Sequence, residues 1–282
     1  MINANTNIYA VIGNPISHSL SPKIHNAIFE KYKINSLYSA ICIDHTNIEN
    51  FILSMTTLSI KGVNVTVPFK EILVDYLDKA DAFVTKCGAV NTIINKDGVI
   101  YGYNTDGIGF IYVLEHVLNL NLSNKKVVIL GAGGTAKSIG FSLVSKDIKS
   151  LNLINRSADK LSVLYDKLQI ENKDLTINSF QLADSIIYDV LADSDIIINT
   201  TSIGMNDSEN LLLSHMDWVT NQQVCIDVIY NPTETLFLKE SRLRGAKTLN
   251  GLSMLAAQAM YAAEYFTGKQ IDYNFVFEQL KR

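Results

Sequence analysis

The chain has 282 residues, 48% hydrophobic and 18% charged, enough for two domains that each bury a core. Its formal net charge of −4 comes without any basic block, so nucleic acid is not an expected partner. Cys42, Cys87 and Cys225 lie far apart with no C-x-x-C, and the histidines show no ligand spacing, which excludes a disulfide framework and a metal centre from the expectations.

The first twelve residues lack a basic stretch ahead of a long apolar run, and no segment reaches about 18 uninterrupted apolar residues. A cytoplasmic protein without a signal peptide or a membrane partner is expected. Strand-length apolar runs alternate with segments of helical period throughout, the pattern of α/β proteins.

In chain order, residues 8–13 predict a strand, followed by a loop that carries Ser17 and Ser19. A helix then opens with Ser21 as N-cap and Pro22 in its first position. Residues 37–43 predict a second strand, and Thr46 to Glu49 has the form of a capping box for a helix bearing Ile48, Phe51, Ile52 and Met55. The strand over 60–66 ends at Pro68, and its alternation puts Asn64 and Thr66 on one side, with Lys70 just beyond. Strands over 90–94 and 99–103 flank Asn95-Lys-Asp-Gly98, a hairpin signal. Asn91 stands at the start of that hairpin, and Asp106 heads a helix running to about 118. Each of these polar residues also has a plain structural explanation: Ser21 and Asp106 as helix caps, Lys70 as a surface cation, Asn91 as a strand-end turn.

An apolar strand over 127–130 runs straight into Gly131-Ala-Gly-Gly-Thr-Ala136, a helix and a second strand over 151–154. Glycines there let a backbone approach a pyrophosphate, and the helix N-terminus offers free N–H groups and its positive dipole end. A tight strand–helix turn is the plain alternative, but the βαβ setting favours a nucleotide. NAD sites place an acid at the end of the second strand to bond the ribose hydroxyls. This strand ends instead in Asn155-Arg156-Ser157, with Lys160 close behind, and two cations and a hydroxyl suit a 2′-phosphate. NADP is therefore the expected cofactor. Further strands are read over 196–198, 224–228 and 247–249, before a long helix over 252–266 that stops at Gly268. The fold class is α/β in two domains: an N-terminal α/β substrate domain with a mostly parallel sheet, 1–105 plus 251–282, and a Rossmann-type dinucleotide-binding domain, 106–250.

Nine segments in order, G-N-P-I-S-H-S-L-S-P, N-V-T-V-P-F-K, G-A-V-N-T, G-Y-N-T-D-G, G-A-G-G-T-A, N-R-S, N-T-T-S-I-G-M, D-V-I-Y-N-P and N-G-L-S-M-L-A-A-Q, resemble the shikimate dehydrogenase family. The resemblance runs from about residue 8 to 268. It implies reversible, NADPH-dependent reduction of 3-dehydroshikimate to shikimate, a step toward chorismate and the aromatic amino acids, by a monomer or homodimer. It further implies Lys70 and Asp106 as the catalytic pair, and a substrate cradle of Ser17, Ser19, Asn64, Thr66, Asn91, Tyr230 and Gln258. Gly131, Ala132, Gly133, Gly134, Thr135, Asn155, Arg156, Ser157, Lys160, Thr200, Val228 and Gly251 would line the cofactor. Ser157 stands where the family usually has Thr, Thr200 where Ala is common, and Glu264-Tyr-Phe where a tryptophan is usual.

Three other readings compete. A broader quinate/shikimate enzyme differs in substrate range. A short-chain dehydrogenase would use Tyr265 and Lys269, but Gly268 interrupts their helix and the first hundred residues would stand idle. A non-catalytic NADP-binding sensor would have no need of both Lys70 and Asp106.

Overall fold

The computed structural model describes residues 2–205 and 210–281. It divides into two compact units, 1–109 with 256–282 and 110–255. Met1 and Arg282, the outer ends of the expected first domain, lie outside the described residues.

The first unit begins β1 (Asn7–Gly13), α1 (Ser21–Lys31), β2 (Ser36–Cys42), α2 (Ile48–Thr57) and β3 (Ile60–Val65). It continues β4 (Lys79–Ala80), α3 (Ala82–Cys87), β5 (Thr92–Lys96), β6 (Val99–Tyr103) and α4 (Asp106–Tyr112). Its sheet has the order β2-β1-β3-β5-β6-β4. The β1–β2, β1–β3 and β4–β6 ladders are parallel, whereas β3–β5 and β5–β6 are antiparallel. Asp97 and Gly98 both take positive φ, as a two-residue hairpin turn demands, and Asn95 Oδ1 accepts the Gly98 N–H at 2.9 Å. On one face Ala10, Ile12, Val63, Val65 and Ile93 pack with Ile48, Phe51 and Met55 of α2, whose i, i+3, i+7 spacing forms a single stripe. Burial of each large member of this cluster is worth about 1.5–3 kcal/mol.

Two predicted caps are not formed. Helix α1 starts at Ser21 itself, with Leu20 in the cap position, and the Ser21 N–H goes to Ser19 Oγ at 3.3 Å. At Thr46 the chain enters α2 through a 3₁₀ turn, His45–Asn47, and no side chain caps either element, so the capping box is absent. Helix α4 also ends earlier than predicted, passing into a π-helical turn over Val113–Val117.

The second unit contains β7 (Lys126–Leu130), α5 (Gly134–Leu143), β8 (Ser150–Asn155), α6 (Ala158–Glu171) and β9 (Thr176–Gln181). It adds α7 (Ile187–Ala192), β10 (Ile196–Asn199), β11 (Val224–Asp227), α8 (Leu236–Leu243) and β12 (Lys247–Leu249). The chain closes with α9 (Leu252–Thr267) and α10 (Tyr273–Lys281). Every ladder of the second sheet is parallel, in the order β9-β8-β7-β10-β11-β12. Numbered within the unit this is 3-2-1-4-5-6, the doubly wound arrangement whose crevice opens beyond the carboxyl ends of the strands. Central strands β7 and β10 are apolar and buried along nearly their whole length, as strands covered on both faces must be. The units divide inside α4 and α9, a few residues beyond the boundaries read from the sequence. Among the described residues no helix is long and apolar enough to cross a membrane.

Candidate active site

Within the first unit, the chain leaving β3 is held at both ends of a short turn. The Thr66 N–H donates to Ile12 O at 3.0 Å, the Phe69 N–H to Thr66 O at 3.0 Å, and the fully buried Phe69 ring plugs the core beneath. Lys70 O accepts the Val90 N–H at 2.8 Å, so the backbone that carries Lys70 is tied to the segment that carries Asn91. The Lys70 ammonium donates to Asp106 Oδ2 at 2.6 Å, with side chains 15% and 6% exposed. Asp106 heads α4, yet it is no cap. Its other oxygen, Oδ1, accepts from Asn91 Nδ2 at 2.8 Å, and its own N–H donates to Asn104 Oδ1 at 3.0 Å.

Asn64 and Asn91 extend the same network. Asn91 Oδ1 accepts the Thr105 N–H at 2.8 Å and the Thr92 hydroxyl at 2.9 Å. Asn64 Nδ2 donates to Asn91 O at 3.1 Å and Thr92 Oγ1 at 3.0 Å, while its Oδ1 accepts from Tyr38 at 2.6 Å. Both Asn64 amide hydrogens are thus engaged, and what remains for a ligand is one acceptor site on Oδ1. Asp106 is only 4% exposed, and a carboxylate so buried requires the cation and the donors it has.

The remaining expected substrate residues are placed less centrally. Thr66 lies against the end of β1: a Cβ on Gly13 would come within 2.5 Å of Thr66 Cγ2. Asn14 N–H donates to Val67 O at 3.1 Å, so the loop bearing exposed Ser17 and half-buried Ser19 starts beside Thr66. Gln258 is half-buried on α9, its backbone N within 2.9 Å of where a Gly109 Cβ would stand, one turn beyond Asp106 on α4. Tyr230 belongs to the second unit, half-buried in the loop after β11, where burial raises its phenol pKa.

In the second unit, the expected cofactor residues gather at the carboxyl ends of the parallel strands. Gly131 ends β7 at φ +115, and a Cβ there would collide with Thr200 Oγ1. Its N–H donates to Ile154 O at 2.8 Å, and Thr200 hydrogen-bonds Leu130 O through both its N–H and its hydroxyl. The turn is therefore rigid up to Ala132, which is buried, whereas Gly133 is exposed and a Cβ on it would meet nothing within 4 Å. Gly134 and Thr135 open α5 directly behind this space. At the end of β8, Asn155 Nδ2 donates to Ser157 O at 3.0 Å, and Ser157 heads α6 without capping it. Arg156 and Lys160 are exposed, and neither joins an ion pair among the described residues. An open glycine turn beside two unpaired cations and no strand-end acid fits a dinucleotide with a 2′-phosphate. Val228 N–H donates to Asn199 O at 3.0 Å, and Gly251 packs so tightly on Val228 O that any side chain would overlap it.

Sequence reasoning missed the residues that hold these loops. Asp227 is fully buried and accepts from Thr235 at 2.7 Å, Asn199 at 3.1 Å and the Ile229 N–H at 3.0 Å, and burial raises its pKa. It anchors the loop carrying Val228 and Tyr230. Thr92, Thr105 and Tyr38 serve the first unit in the same way. Asp227 and Thr105 lay within segments already singled out, D-V-I-Y-N-P and G-Y-N-T-D-G, but Tyr38 is an unmarked strand tyrosine.

Two family models match the chain. Residues 11–93 match the shikimate dehydrogenase substrate binding domain, and residues 113–228 match shikimate / quinate 5-dehydrogenase. A shikimate dehydrogenase (NADP(+)) of Caldanaerobacter subterraneus subsp. tengcongensis is 39% identical over 99% of this chain and 98% of its own length. One from Methanosphaera stadtmanae is 41% identical, covering 97% of this chain and 96% of itself. The solved shikimate 5-dehydrogenase of Listeria monocytogenes, in complex with shikimate and NAD, superposes with TM-score 0.91 at 31% identity, covering 99% and 98% of the two chains. Similarity of this extent, spanning both units, makes the chain a member of the shikimate dehydrogenase family.

Proposed function

We propose that the chain catalyses the reversible reduction of 3-dehydroshikimate to shikimate with NADPH, in the cytoplasm and as a monomer or homodimer. The observation that carries this reading is the Lys70–Asp106 pair, 2.6 Å long, with its carboxylate buried and fastened by Asn91. The first unit takes the substrate and the second takes the cofactor. Gly131, Gly133, Gly134 and Thr135 would hold NADP(H) at the glycine turn, and its nicotinamide would supply the hydride for reduction or take it up in oxidation. Lys70 handles the proton: its ammonium gives one to the carbonyl oxygen during reduction, and its amine takes one from the hydroxyl during oxidation. Asp106 holds the Lys70 nitrogen at the reacting oxygen. Asn64 and Thr66 bond the ring hydroxyls, with Asn64 accepting. Ser17 and Ser19 hold the carboxylate, and Gln258 bonds a hydroxyl beside α4.

The Listeria structure holds NAD, so the fold alone does not select the phosphate. Selection rests on the end of β8, where Arg156 and Lys160 stand free and Asn155 replaces an acid. Steady-state assays with shikimate and quinate, each against NADP+ and NAD+, test the reading. Shikimate with NADP+ should give the highest kcat/KM. A higher value for quinate with NAD+ favours the broader quinate/shikimate enzyme, and no turnover with any pair favours the sensor.

A further inference from the structure

Behind the candidate site a buried tyrosine reaches across the first sheet. Tyr38 of β2 is 2% exposed, and its ring stacks on His25 of α1 with centroids 4.3 Å apart at 7°. Strand β1 separates β2 from β3, yet the Tyr38 hydroxyl meets Asn64 Oδ1 of β3 at 2.6 Å. The sense of this bond is fixed by its neighbours. Asn64 Nδ2 lies 3.1 Å from Asn91 O, a carbonyl that can only accept, so the amide oxygen must face Tyr38 and the phenol must donate.

From there every link donates in the same direction. Asn64 Nδ2 donates to Thr92 Oγ1 at 3.0 Å, Thr92 to Asn91 Oδ1 at 2.9 Å, and Asn91 Nδ2 to Asp106 Oδ1 at 2.8 Å. Lys70 closes the row from the other side of the carboxylate. All five residues from Tyr38 to Asp106 are at most 6% exposed, so water has little access to replace a missing link. In such surroundings serial hydrogen bonds polarise one another, and one gap disturbs the rest.

We propose that Tyr38 is a positioning residue for the reaction: through Asn64, Thr92 and Asn91 its hydroxyl anchors a one-way row of donors that aims the Asp106 carboxylate at Lys70. The inference rests on the function proposed above. Tyr38 touches no reactant. It fixes the Asn64 oxygen with one acceptor site still open, and it keeps the two asparagine amides in register with the catalytic pair.

Tyr38→Phe keeps the ring and its stack on His25 and removes only the hydroxyl. With shikimate as substrate, kcat/KM should fall roughly 5- to 30-fold, the worth of a buried hydrogen bond, while KM for NADP+ stays within about twofold. Thr92→Val interrupts the row at its middle and should show the same split, whereas Thr92→Ser, which keeps the hydroxyl, should stay within about twofold of the native enzyme. The double variant Tyr38→Phe/Thr92→Val should lose little more than the worse single one, because both break one row. Native kinetics in Tyr38→Phe, a matching rise in KM for NADP+, equal loss in Thr92→Ser, or additive losses would each overturn the proposal. An inactive native chain would instead overturn the proposed function, and this inference with it.

Discussion

In the first unit the polar groups of the candidate site are engaged with one another, whereas in the second the strand-end cations stand free. Lys70, Asp106, Asn91, Thr92 and Asn64 form a closed set, all of it buried except the half-buried Lys70. Arg156 and Lys160 point into solvent beside a glycine turn with open space above it. The contrast follows from what each region has to do. A proton-transferring pair must be aimed before substrate arrives, so its groups are satisfied internally. A phosphate brings its own charge, and cations already paired would have to give up a partner to receive it. Substitutions in the two regions should therefore fail differently, the first in turnover and the second in selective affinity.

The largest effect should come from the closed set. Lys70→Ala should lower kcat roughly 10²- to 10⁴-fold, the usual worth of a positioned acid–base group. KM for shikimate should change much less, because the cradle residues still hold the ground state. Asp106→Ala should behave alike, and the double variant should lose little more than either single one, since the pair acts as one unit. A thermal melt should also show Lys70→Ala destabilised, because Asp106 is left buried without its cation. A rise in KM with kcat intact would make Lys70 a substrate anchor.

The second effect should come from the open set and should be smaller. Arg156→Ala should raise KM for NADP+ about 10- to 100-fold, as loss of a charge-assisted bond would, and leave KM for NAD+ nearly unchanged. Melting temperature should not move, because Arg156 is exposed and makes no ion pair among the described residues. Equal weakening of both cofactors would make Arg156 part of the scaffold rather than a phosphate ligand.

The same contrast explains what could be read in advance. The second sheet was legible because its message is local: an apolar strand, a glycine turn and the residues ending the next strand all lie within about thirty positions. The closed set is non-local. Lys70 and Asp106 are 36 residues apart, Tyr38 and Asn64 are 26 apart, and periodicity says nothing about such pairings. Asp106 looked as much like a cap as a catalytic acid, and only the positions of Lys70 and Asn91 separate the two roles. The capping box at Thr46 is missing where another contact of long sequence separation enters. Asp44 is fastened to Asn14 at 3.0 Å, and the chain turns through a 3₁₀ segment before α2 begins. Strand β4, with two residues, and helix α7, with six, are too short to display a period.

The smallest effect concerns a buried histidine beneath the closed set. His25 of α1 is 1% exposed, its Nδ1 has no hydrogen-bond partner, and its ring lies among Tyr38, Phe29 and Phe266. Burial lowers its pKa from 6.5 to about 3. The unfolded chain therefore takes up a proton on this residue below pH 6.5 while the folded chain does not, and stability drains away as pH falls from about 6.5 toward about 3. Above pH 6.5 the residue is neutral in both states and contributes no slope. Within the window its share is at most about 1.4 kcal/mol per pH unit. His25→Phe keeps an aromatic ring against Tyr38 and removes the titrating group. Denaturant unfolding from pH 7 down to pH 4.5 should show the variant losing less stability than the native chain, with the two curves parallel above pH 6.5. The carboxylates are unchanged between the two proteins, so they cancel in the difference. Coincident slopes across the whole range would mean that His25 accepts its proton in the folded state, and that the floor beneath Tyr38 opens to water.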